Sequence, residues 1–233
     1  MSKTLVIAII IIFIIGIGYW IFMSSQMSPT EENKEEVSNE NIKENEFKAT
    51  YKIDFIAQWS EQTHTNNYPK GAHFSPFVAY SHNNSVEAKI FVEGQDSSLG
   101  MEEMAETGKT TKLNQEIDQI ISSKRAFQKT QGSVFDSPGN NSAELQFNKD
   151  NKYVTFVSML APSPDWFVAQ TKNLIENGKW LESIELELIT YDAGSDSGST
   201  LTAEDIDTNP KEPITVFSEN LQRLGKIILT KIE

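Results

Sequence analysis

Apolar and polar residues alternate along two separate segments of this chain, and this period of two is the pattern that most restricts its fold. Between residues 51 and 59 the odd-numbered positions are apolar or aromatic, and between residues 184 and 188 apolar residues alternate with glutamates. Successive side chains of a β-strand point to opposite faces, so each segment predicts a strand with one buried face. The chain is therefore predicted to be mainly β.

Other segments add strands and two helices. Strands are predicted at residues 73–80, 86–92, 126–134, 142–147, 153–160, 167–172, 180–190 and 227–232. Pro76 suggests an edge or a bulge in the first of these, because proline cannot donate to a strand ladder. Helical spacing of apolar residues predicts helices at 99–106 and 111–122. Short helices inserted between strands fit an elaborated β-sandwich.

The second alternating segment runs into a loop that brings two carboxylates close together. Residues 191–198 read Tyr-Asp-Ala-Gly-Ser-Asp-Ser-Gly. Gly194 and Gly198 permit backbone conformations that a side chain hinders, so Asp192 and Asp196 can face one point. Such a pair repels unless one group takes a proton or a cation lies between them. Oxygen ligands favour calcium before magnesium, whereas the alternative interpretation is an ordinary solvated turn.

A third carboxylate lies upstream of this loop. Asp165 belongs to the sequence Ser-Pro-Asp-Trp at residues 163–166, directly after the apolar strand predicted at 153–160. This position allows Asp165, Asp192 and Asp196 to form a three-aspartate site at one end of a sheet. The downstream acidic residues Glu204, Asp205 and Asp207 are interpreted instead as a solvated loop.

These two loops resemble the spondin N-terminal domain of the F-spondin and mindin family. The resemblance is carried by residues 161–168 and 192–198 and extends from about residue 49 to about residue 213. Several more motifs occur in the family's order: Trp59-Ser60, His64, Tyr68-Pro69, Ala72-His73-Phe74-Ser75, Ser81-His82-Asn83, Ala105-Glu106-Thr107-Gly108 and Gly178-Lys179-Trp180.

The resemblance implies a fold, a metal and a role. The expected fold is an antiparallel β-sandwich with a bound calcium ion, and the family's metal-binding aspartates map onto Asp165, Asp192 and Asp196. The implied role is adhesion at the cell surface or in the matrix. The chain departs from the family's animal members because it has no cysteine and because Ala169 and Gln170 replace a glycine and a hydrophobic residue. The three aspartates are unaffected by these departures.

The N-terminal residues predict a membrane anchor. Residues 4–23 are almost all apolar, and about 20 helical residues span the hydrocarbon core of a bilayer. A cleaved signal peptide has a shorter apolar region that ends in small residues, whereas this one ends in Tyr-Trp-Ile-Phe-Met. Lys3 precedes the span, which places the N-terminus in the cytoplasm and the remainder outside. We therefore expect a single-pass cell-membrane protein with residues 1–23 as one transmembrane helix.

The predicted anchor is followed by a linker and one domain. Residues 24–48 are rich in glutamate and poor in apolar residues, so they cannot bury enough surface to offset the entropy cost of ordering. This segment is predicted to be a disordered acidic linker. Residues 49–233 are predicted to form the spondin-like domain.

Composition excludes several function classes. The formal net charge of −13 argues against a nucleic-acid partner, and the absence of cysteine excludes disulfides, thiolate catalysis and cysteine-based zinc sites. The three histidines show no His-Glu-x-x-His spacing, and no serine lies in Gly-x-Ser-x-Gly. Paired carboxylates could serve a glycosidase, with Asp165 and Asp192 as the acid and base, but a cation explains three carboxylates at one loop end better.

The function expected from the sequence is therefore binding rather than catalysis. The chain is interpreted as a bacterial-type, membrane-anchored, extracytoplasmic calcium-binding module that meets an unknown protein or glycan at the cell surface. No catalytic residue is predicted. The alternatives are a metal-dependent cell-envelope hydrolase and a purely structural envelope protein.

Overall fold

The computed structural model describes residues 48–66, 68–217 and 221–233 of the chain. The predicted anchor at residues 1–23 and residues 24–47 of the predicted linker lie outside this described part. Within it, the structure contains no helix that is both long and apolar enough to cross a membrane.

The described residues form two α-helices and fourteen strands. The helices are α1 (Leu99–Thr107) and α2 (Thr111–Ser122). The strands are β1 (Lys48–Ala57), β2 (His73–Phe74), β3 (Val78–His82), β4 (Ala126–Gln131), β5 (Phe135–Asp136), β6 (Gly139–Asn148), β7 (Tyr153–Ala161), β8 (Trp166–Asn173), β9 (Ile175–Glu176), β10 (Lys179–Trp180), β11 (Ser183–Glu187), β12 (Ile189–Asp192), β13 (Thr215–Val216) and β14 (Gly225–Lys231). Both predicted helices are confirmed.

The strands form two main antiparallel sheets. The first has the order β11-β14-β1-β6. The second has the order β13-β12-β8-β7-β2-β5, and β3 joins it by pairing with β7 on one side and β4 on the other. Strand β7 reaches both partners because its early residues pair with β3 and its last residues pair with β2. The expectation of a mainly β, antiparallel fold is confirmed.

The two sheets share one apolar core, as in a β-sandwich. Tyr51, Ile53 and Phe55 of β1 have no exposed surface, so the alternation predicted for this strand is confirmed. The ring of Phe55 meets Phe74 and Phe156 of the second sheet, with centroids 4.9 and 5.0 Å away. Edge-to-face packing of this kind stabilises a core beyond simple area burial.

A second core lies on the other face of the second sheet, under the two helices. Val157 of β7 and Phe167 of β8 pack there against Met101 and Met104 of α1 and Leu113 of α2. Strand β7 is therefore buried on both faces from its second residue onward. This double burial explains why residues 153–160 read as a continuous apolar run rather than an alternating one.

Two of the predicted strands are divided in the structure. Residues 73–80 form β2 and β3 with a break at Pro76, where the Ser75 side chain accepts the Met159 N–H at 2.9 Å in place of a ladder bond. Residues 180–190 contribute to β10, β11 and β12, and the chain passes from the first sheet to the second at buried Leu188. In both places the change of hydrogen-bond partner, rather than the apolar pattern, sets the boundary.

The strand predicted at residues 86–92 is wrong. The segment begins with a single 3₁₀ turn at Val86–Ala88 and contains no strand. The physical reason is a side chain that replaces a neighbouring strand. The Tyr80 hydroxyl donates to the carbonyl of Ala88 at 2.6 Å and accepts the N–H of Ile90 at 3.2 Å. These buried main-chain groups are thus satisfied without a ladder.

Removing this hydroxyl provides a test of that explanation. We expect Tyr80→Phe to lower the free energy of unfolding by about 1–3 kcal/mol, because it leaves buried main-chain groups without a partner. The matched control, Tyr153→Phe, removes a hydroxyl from a half-buried ring at the start of β7 and should change stability by less than about 0.5 kcal/mol. Urea denaturation measures both values, and equal losses in the two variants would contradict the explanation.

Candidate metal centre

The two aspartate-bearing segments meet because strands β8 and β12 are antiparallel neighbours. Asp192, the last residue of β12, lies directly opposite Trp166, the first residue of β8. The turn that precedes β8 and the loop that follows β12 are therefore side by side at one end of the second sheet. The main-chain N–H of Ala193 donates to the carbonyl of Asp165 at 3.2 Å and joins the two segments.

The turn before β8 is ordered by its own serine. The Ser163 hydroxyl donates to the carbonyl of Leu160 and accepts the N–H of Trp166 at 3.2 Å. Asp165 lies within this turn, and its side chain has no exposed surface. Local hydrogen bonding thus directs a carboxylate into the protein interior, where carboxylates are rare without a partner.

The two oxygens of the Asp165 carboxylate have different environments. Its Oδ2 accepts the main-chain N–H of Ser195 at 2.7 Å and that of Asp196 at 3.0 Å, and it contacts the Ser195 hydroxyl at 3.3 Å. Its Oδ1 is buried and has no hydrogen-bond partner. A buried oxygen without a partner is costly, so this atom marks a place where the site needs a proton, a water molecule or a cation.

Electrostatic repulsion between the aspartates is visible in their pKa values. Burial and, secondarily, the charge of Asp192 raise the pKa of Asp165 from 3.8 to about 6. Burial also raises the pKa of Asp192, which is close enough to Asp196 to be repelled by it. The indole N–H of Trp166 faces the Asp192 carboxylate and opposes this rise in the pKa of Asp192. The geometry between the two groups is not that of a regular hydrogen bond.

The carboxylate of Asp196 has different partners from those of Asp165 and Asp192. Its Oδ1 accepts the N–H of Gly198 at 2.6 Å, and its Oδ2 accepts the N–H of Ile206 at 2.7 Å. The carboxylate therefore holds together the two ends of the surface loop 197–206. Its main chain contributes to the site as well, through the N–H that it donates to Asp165.

The two glycines of this loop are needed for different reasons. Gly194 has a φ of 70°, and a Cβ there would lie 2.0 Å from the carbonyl oxygen of Glu212. The expectation of a conformation reserved for glycine is confirmed at this position. Gly198 has no left-handed φ, but a Cβ there would lie 2.6 Å from Pro164 and 2.9 Å from the Asp196 carboxylate. Gly198 therefore permits close packing rather than an unusual backbone angle.

One acidic residue of the site was not predicted. Glu106 in the last turn of α1 lies against the Ser195 hydroxyl and near Asp165, and burial raises its pKa. A signal was present in the sequence, because an acidic side chain in the last turn of a helix opposes the helix dipole. Glu106 also lies in the motif Ala105-Glu106-Thr107-Gly108, which is one of those that carry the family resemblance. Asp205, interpreted as solvated, is exposed, and its side chain meets Asp196, which raises the pKa of Asp205.

The donor set fits a hard cation in chemistry, although its atoms do not converge as a ready-made site. In the described part of the chain, no group of three or more His, Asp or Glu side chains is close enough together to hold a metal ion. The structure brings Asp165 and Asp192 near each other, whereas both carboxylate oxygens of Asp196 are engaged by amides. The partnerless Oδ1 of Asp165 and the carboxylate character of the nearby side chains Asp165, Asp192 and Asp196 are the features that match calcium.

The histidines have other partners. His82 is buried, its two ring nitrogens contact the Asn83 carbonyl at 2.6 Å and the Thr155 hydroxyl at 2.8 Å, and burial lowers its pKa to about 4. His64 is bound between Thr63 and the carbonyl of Gln222. The interpretation of these histidines as residues satisfied by local hydrogen bonds is confirmed.

A family model described as Spondin_N matches residues 49–223. The chain belongs to the spondin N-terminal domain family. It is 30% identical to Spondin-2 of Rattus norvegicus over 208 residues, which cover 84% of this chain and 60% of that relative. It is 31% identical to Spondin-2 of Homo sapiens over 182 residues, which cover 74% of this chain and 53% of the relative.

The spondin match extends to longer relatives. The chain is 32% identical to Spondin-1 of Rattus norvegicus over 177 residues, or 71% of this chain and 21% of the relative. The chain thus spans between about a fifth and three fifths of the curated spondins that it matches. What it shares with them is this domain, and the domain contains both aspartate-bearing loops.

The raised pKa of Asp165 predicts how the metal-free protein responds to pH. A carboxyl whose pKa rises on folding binds more protons in the folded state, so the free energy of unfolding falls as pH increases from 3.8 towards 6. The fall should be at most about 3 kcal/mol, and Asp165→Asn should reduce it. Denaturant titrations in metal-free buffer between pH 4 and 7 measure this slope. An unchanged slope in the variant would show that Asp165 is not responsible.

Proposed function

We propose that this chain is a membrane-anchored, extracytoplasmic spondin module that binds calcium at Asp165, Asp192 and Asp196 and uses the stiffened end of its sandwich to bind a partner. One observation carries the proposal: the Asp165 carboxylate is fully buried, repelled by Asp192, and left with one partnerless oxygen. A bound calcium ion would supply the positive charge that this arrangement lacks.

A cation suits this site better than a permanent proton. The Oδ2 of Asp165 accepts two main-chain N–H groups, an arrangement that stabilises the ionised form. Repulsion by Asp192 opposes ionisation, so the two influences conflict at the same carboxylate. A positive charge near Oδ1 resolves the conflict, because it favours ionisation of both aspartates. Nearby Glu106 adds a further negative charge from α1.

The mechanical consequence would be a fixed loop. Asp165 already binds the amides of Ser195 and Asp196, and Asp196 in turn holds the two ends of loop 197–206. Residues 199 and 200 are exposed on that loop. Neutralising the aspartates would therefore stabilise a surface loop in one shape, which reduces the entropy cost of binding a partner.

The proposed location rests on the N-terminal residues and on the net charge. The apolar run at residues 4–23 is long enough for one span, and the acidic segment 24–48 would hold the domain away from the bilayer. The net charge of −13 favours a protein or glycan partner over a nucleic acid. The partner is proposed to meet the module at the cell surface.

Catalysis is not part of the proposal. A hydrolase needs a nucleophile with a base in reach. His82 is buried between Asn83 and Thr155, and the Nε2 of His64 contacts a main-chain carbonyl. Both imidazoles are engaged in local hydrogen bonds, and no hydrogen bond joins either of them to Asp165, Asp192 or Asp196. Reproducible hydrolysis of an ester, peptide or glycan that Asp165→Ala abolishes would overturn this part of the proposal.

Calcium should stabilise the fold through the three aspartates. Binding to the folded state alone adds about 2.7 kcal/mol at one hundred times the dissociation constant, so calcium should raise the melting temperature relative to chelator. Asp192→Asn should weaken binding by removing a charged ligand while keeping its size. Asp150→Asn, in an exposed turn of the same protein, is the matched control and should bind as the wild type does.

The two measurements are thermal melting in chelator against calcium and calorimetric titration with calcium. If the wild type melts identically in both conditions and shows no heat of binding, the aspartate loops are ordinary turns without a calcium site. Equal weakening by Asp192→Asn and Asp150→Asn would show that only net charge matters.

The anchor should keep the full chain in the membrane. We expect full-length protein to stay in the membrane fraction after an alkaline wash, because the apolar run at residues 4–23 would be embedded in the bilayer. A chain that starts at Lys48 should be recovered in the soluble fraction. Recovery of the mature protein from the medium, with its N-terminus near Ser24, would contradict the anchor.

A further inference from the structure

A cavity of about 550 Å³ opens beside the candidate metal centre. Its size falls within the range of small-molecule sites in proteins. One wall is aromatic and is formed by Tyr68, Trp166 and Phe217. None of the described residues that line this cavity carries a charged side chain.

The aromatic wall is held in place from behind. The ring of Trp59, which is fully buried, meets Tyr68 edge-on with centroids 5.8 Å apart, and the Tyr68 hydroxyl donates to the carbonyl of Ser137 at 2.6 Å. The ring of Phe217 lies 4.2 Å from that of Trp166. Tyr68 and Phe217 are half-buried and keep ring surface open to the cavity, whereas Trp166 is almost fully buried beside them. Little order would be lost when a ligand packs against the two open rings.

A second part of the cavity lining is polar and belongs to loop 197–206. It presents the hydroxyls of Ser199, Thr200 and Thr202, all of which are exposed. Gly198 allows this loop to approach Pro164 closely, and Asp196 closes the base of the loop. The hydroxyls are therefore carried by the same loop that the candidate metal centre controls.

The chemistry of the two walls selects a class of ligand. An ion would find no opposite charge in the cavity, and desolvating it without one is costly. A purely apolar ligand would leave the hydroxyls facing it without hydrogen-bond partners. A neutral molecule with an apolar face and many hydroxyl groups matches both walls, and a pyranose ring has this character. Its C–H face can pack on the aromatic rings while its hydroxyls reach the loop.

We propose that this cavity binds a neutral sugar unit of a glycan and that the candidate metal centre holds its polar wall in position. The inference rests on the proposed function, because it specifies the partner that the calcium-stiffened module would bind.

Two contacts connect the cavity to the aspartates. The ring of Trp166 lines the cavity while its indole N–H faces Asp192. Asp196 holds the loop that carries the hydroxyls. If calcium favours the sugar-binding form of this loop, the sugar must favour calcium binding by the same factor. Sugar affinity should therefore be higher in calcium than in chelator.

The test uses the full chain in a polyoxyethylene detergent, since detergents with sugar headgroups would compete for the cavity. The probes are cellotetraose, chitotetraose and maltotetraose, with tetragalacturonic acid as a charged counterpart and a random peptide library as a different class. Calorimetric titration in calcium and in chelator measures affinity. We expect at least one neutral tetrasaccharide to bind, and to bind more weakly in chelator.

Matched variants locate the site. Replacing Thr200 and Thr202 together by valine keeps the shape of two exposed side chains and removes their hydroxyls, so the affinity should fall about tenfold through two lost hydrogen bonds. Thr230→Val, at an exposed position on β14, is the control and should leave the affinity unchanged. Melting curves of all variants in calcium establish that they are folded.

The outcomes separate this inference from the proposed function. Failure of all three neutral probes to bind, equal binding by the double variant, or stronger binding of tetragalacturonic acid or of peptides would overturn the sugar site. Any of these results combined with calcium-dependent melting would leave the calcium proposal standing. Sugar binding of equal strength in calcium and in chelator would overturn the coupling between the two sites.

Discussion

The buried carboxylate of Asp165, with two main-chain amides on one oxygen, is the interaction around which the candidate metal centre is built. It joins the turn before β8 to the loop after β12 and places a negative charge inside the fold. Its other oxygen has no partner, and Asp192 repels it. This arrangement orients the carboxylate firmly but leaves it short of positive charge, and that shortage is the basis of the proposed calcium site.

The sandwich makes this arrangement possible by covering both faces of its second sheet. The first sheet lies on one face, and α1 and α2 lie on the other. The helical layer brings Glu106 to the Ser195 hydroxyl, so residues from three separate segments meet at one end of the sheet. The same end carries the cavity beside Trp166. Trp166 thus contributes to both features: its indole N–H faces the Asp192 carboxylate, and its ring lines the cavity.

Local patterns in the sequence were sufficient to predict the elements that bury one face against the core. The alternation in β1 and the spacing in α1 and α2 predicted their bounds closely. Prediction failed where a side-chain hydrogen bond or a change of sheet decided the outcome. Residues 86–92 contain strand-forming residues, but the Tyr80 hydroxyl binds the carbonyl of Ala88 and the N–H of Ile90, and no ladder forms. Residues 180–190 look continuous, but the chain changes sheet within them. Neither event leaves a periodic signal.

The candidate site shows the same division. Turn chemistry and family resemblance predicted Asp165, Asp192 and Asp196 as ligands, and this stays a prediction. The helical Glu106 is distant in sequence and needed the fold to bring it to Ser195. The most direct test of the proposed calcium site is a crystal structure of the domain grown in calcium, with anomalous data collected. We expect an anomalous peak about 2.3–2.6 Å from the Oδ1 of Asp165, the usual calcium–oxygen distance. Good density without such a peak, and with Asp165 hydrogen-bonded as a neutral acid, would contradict it.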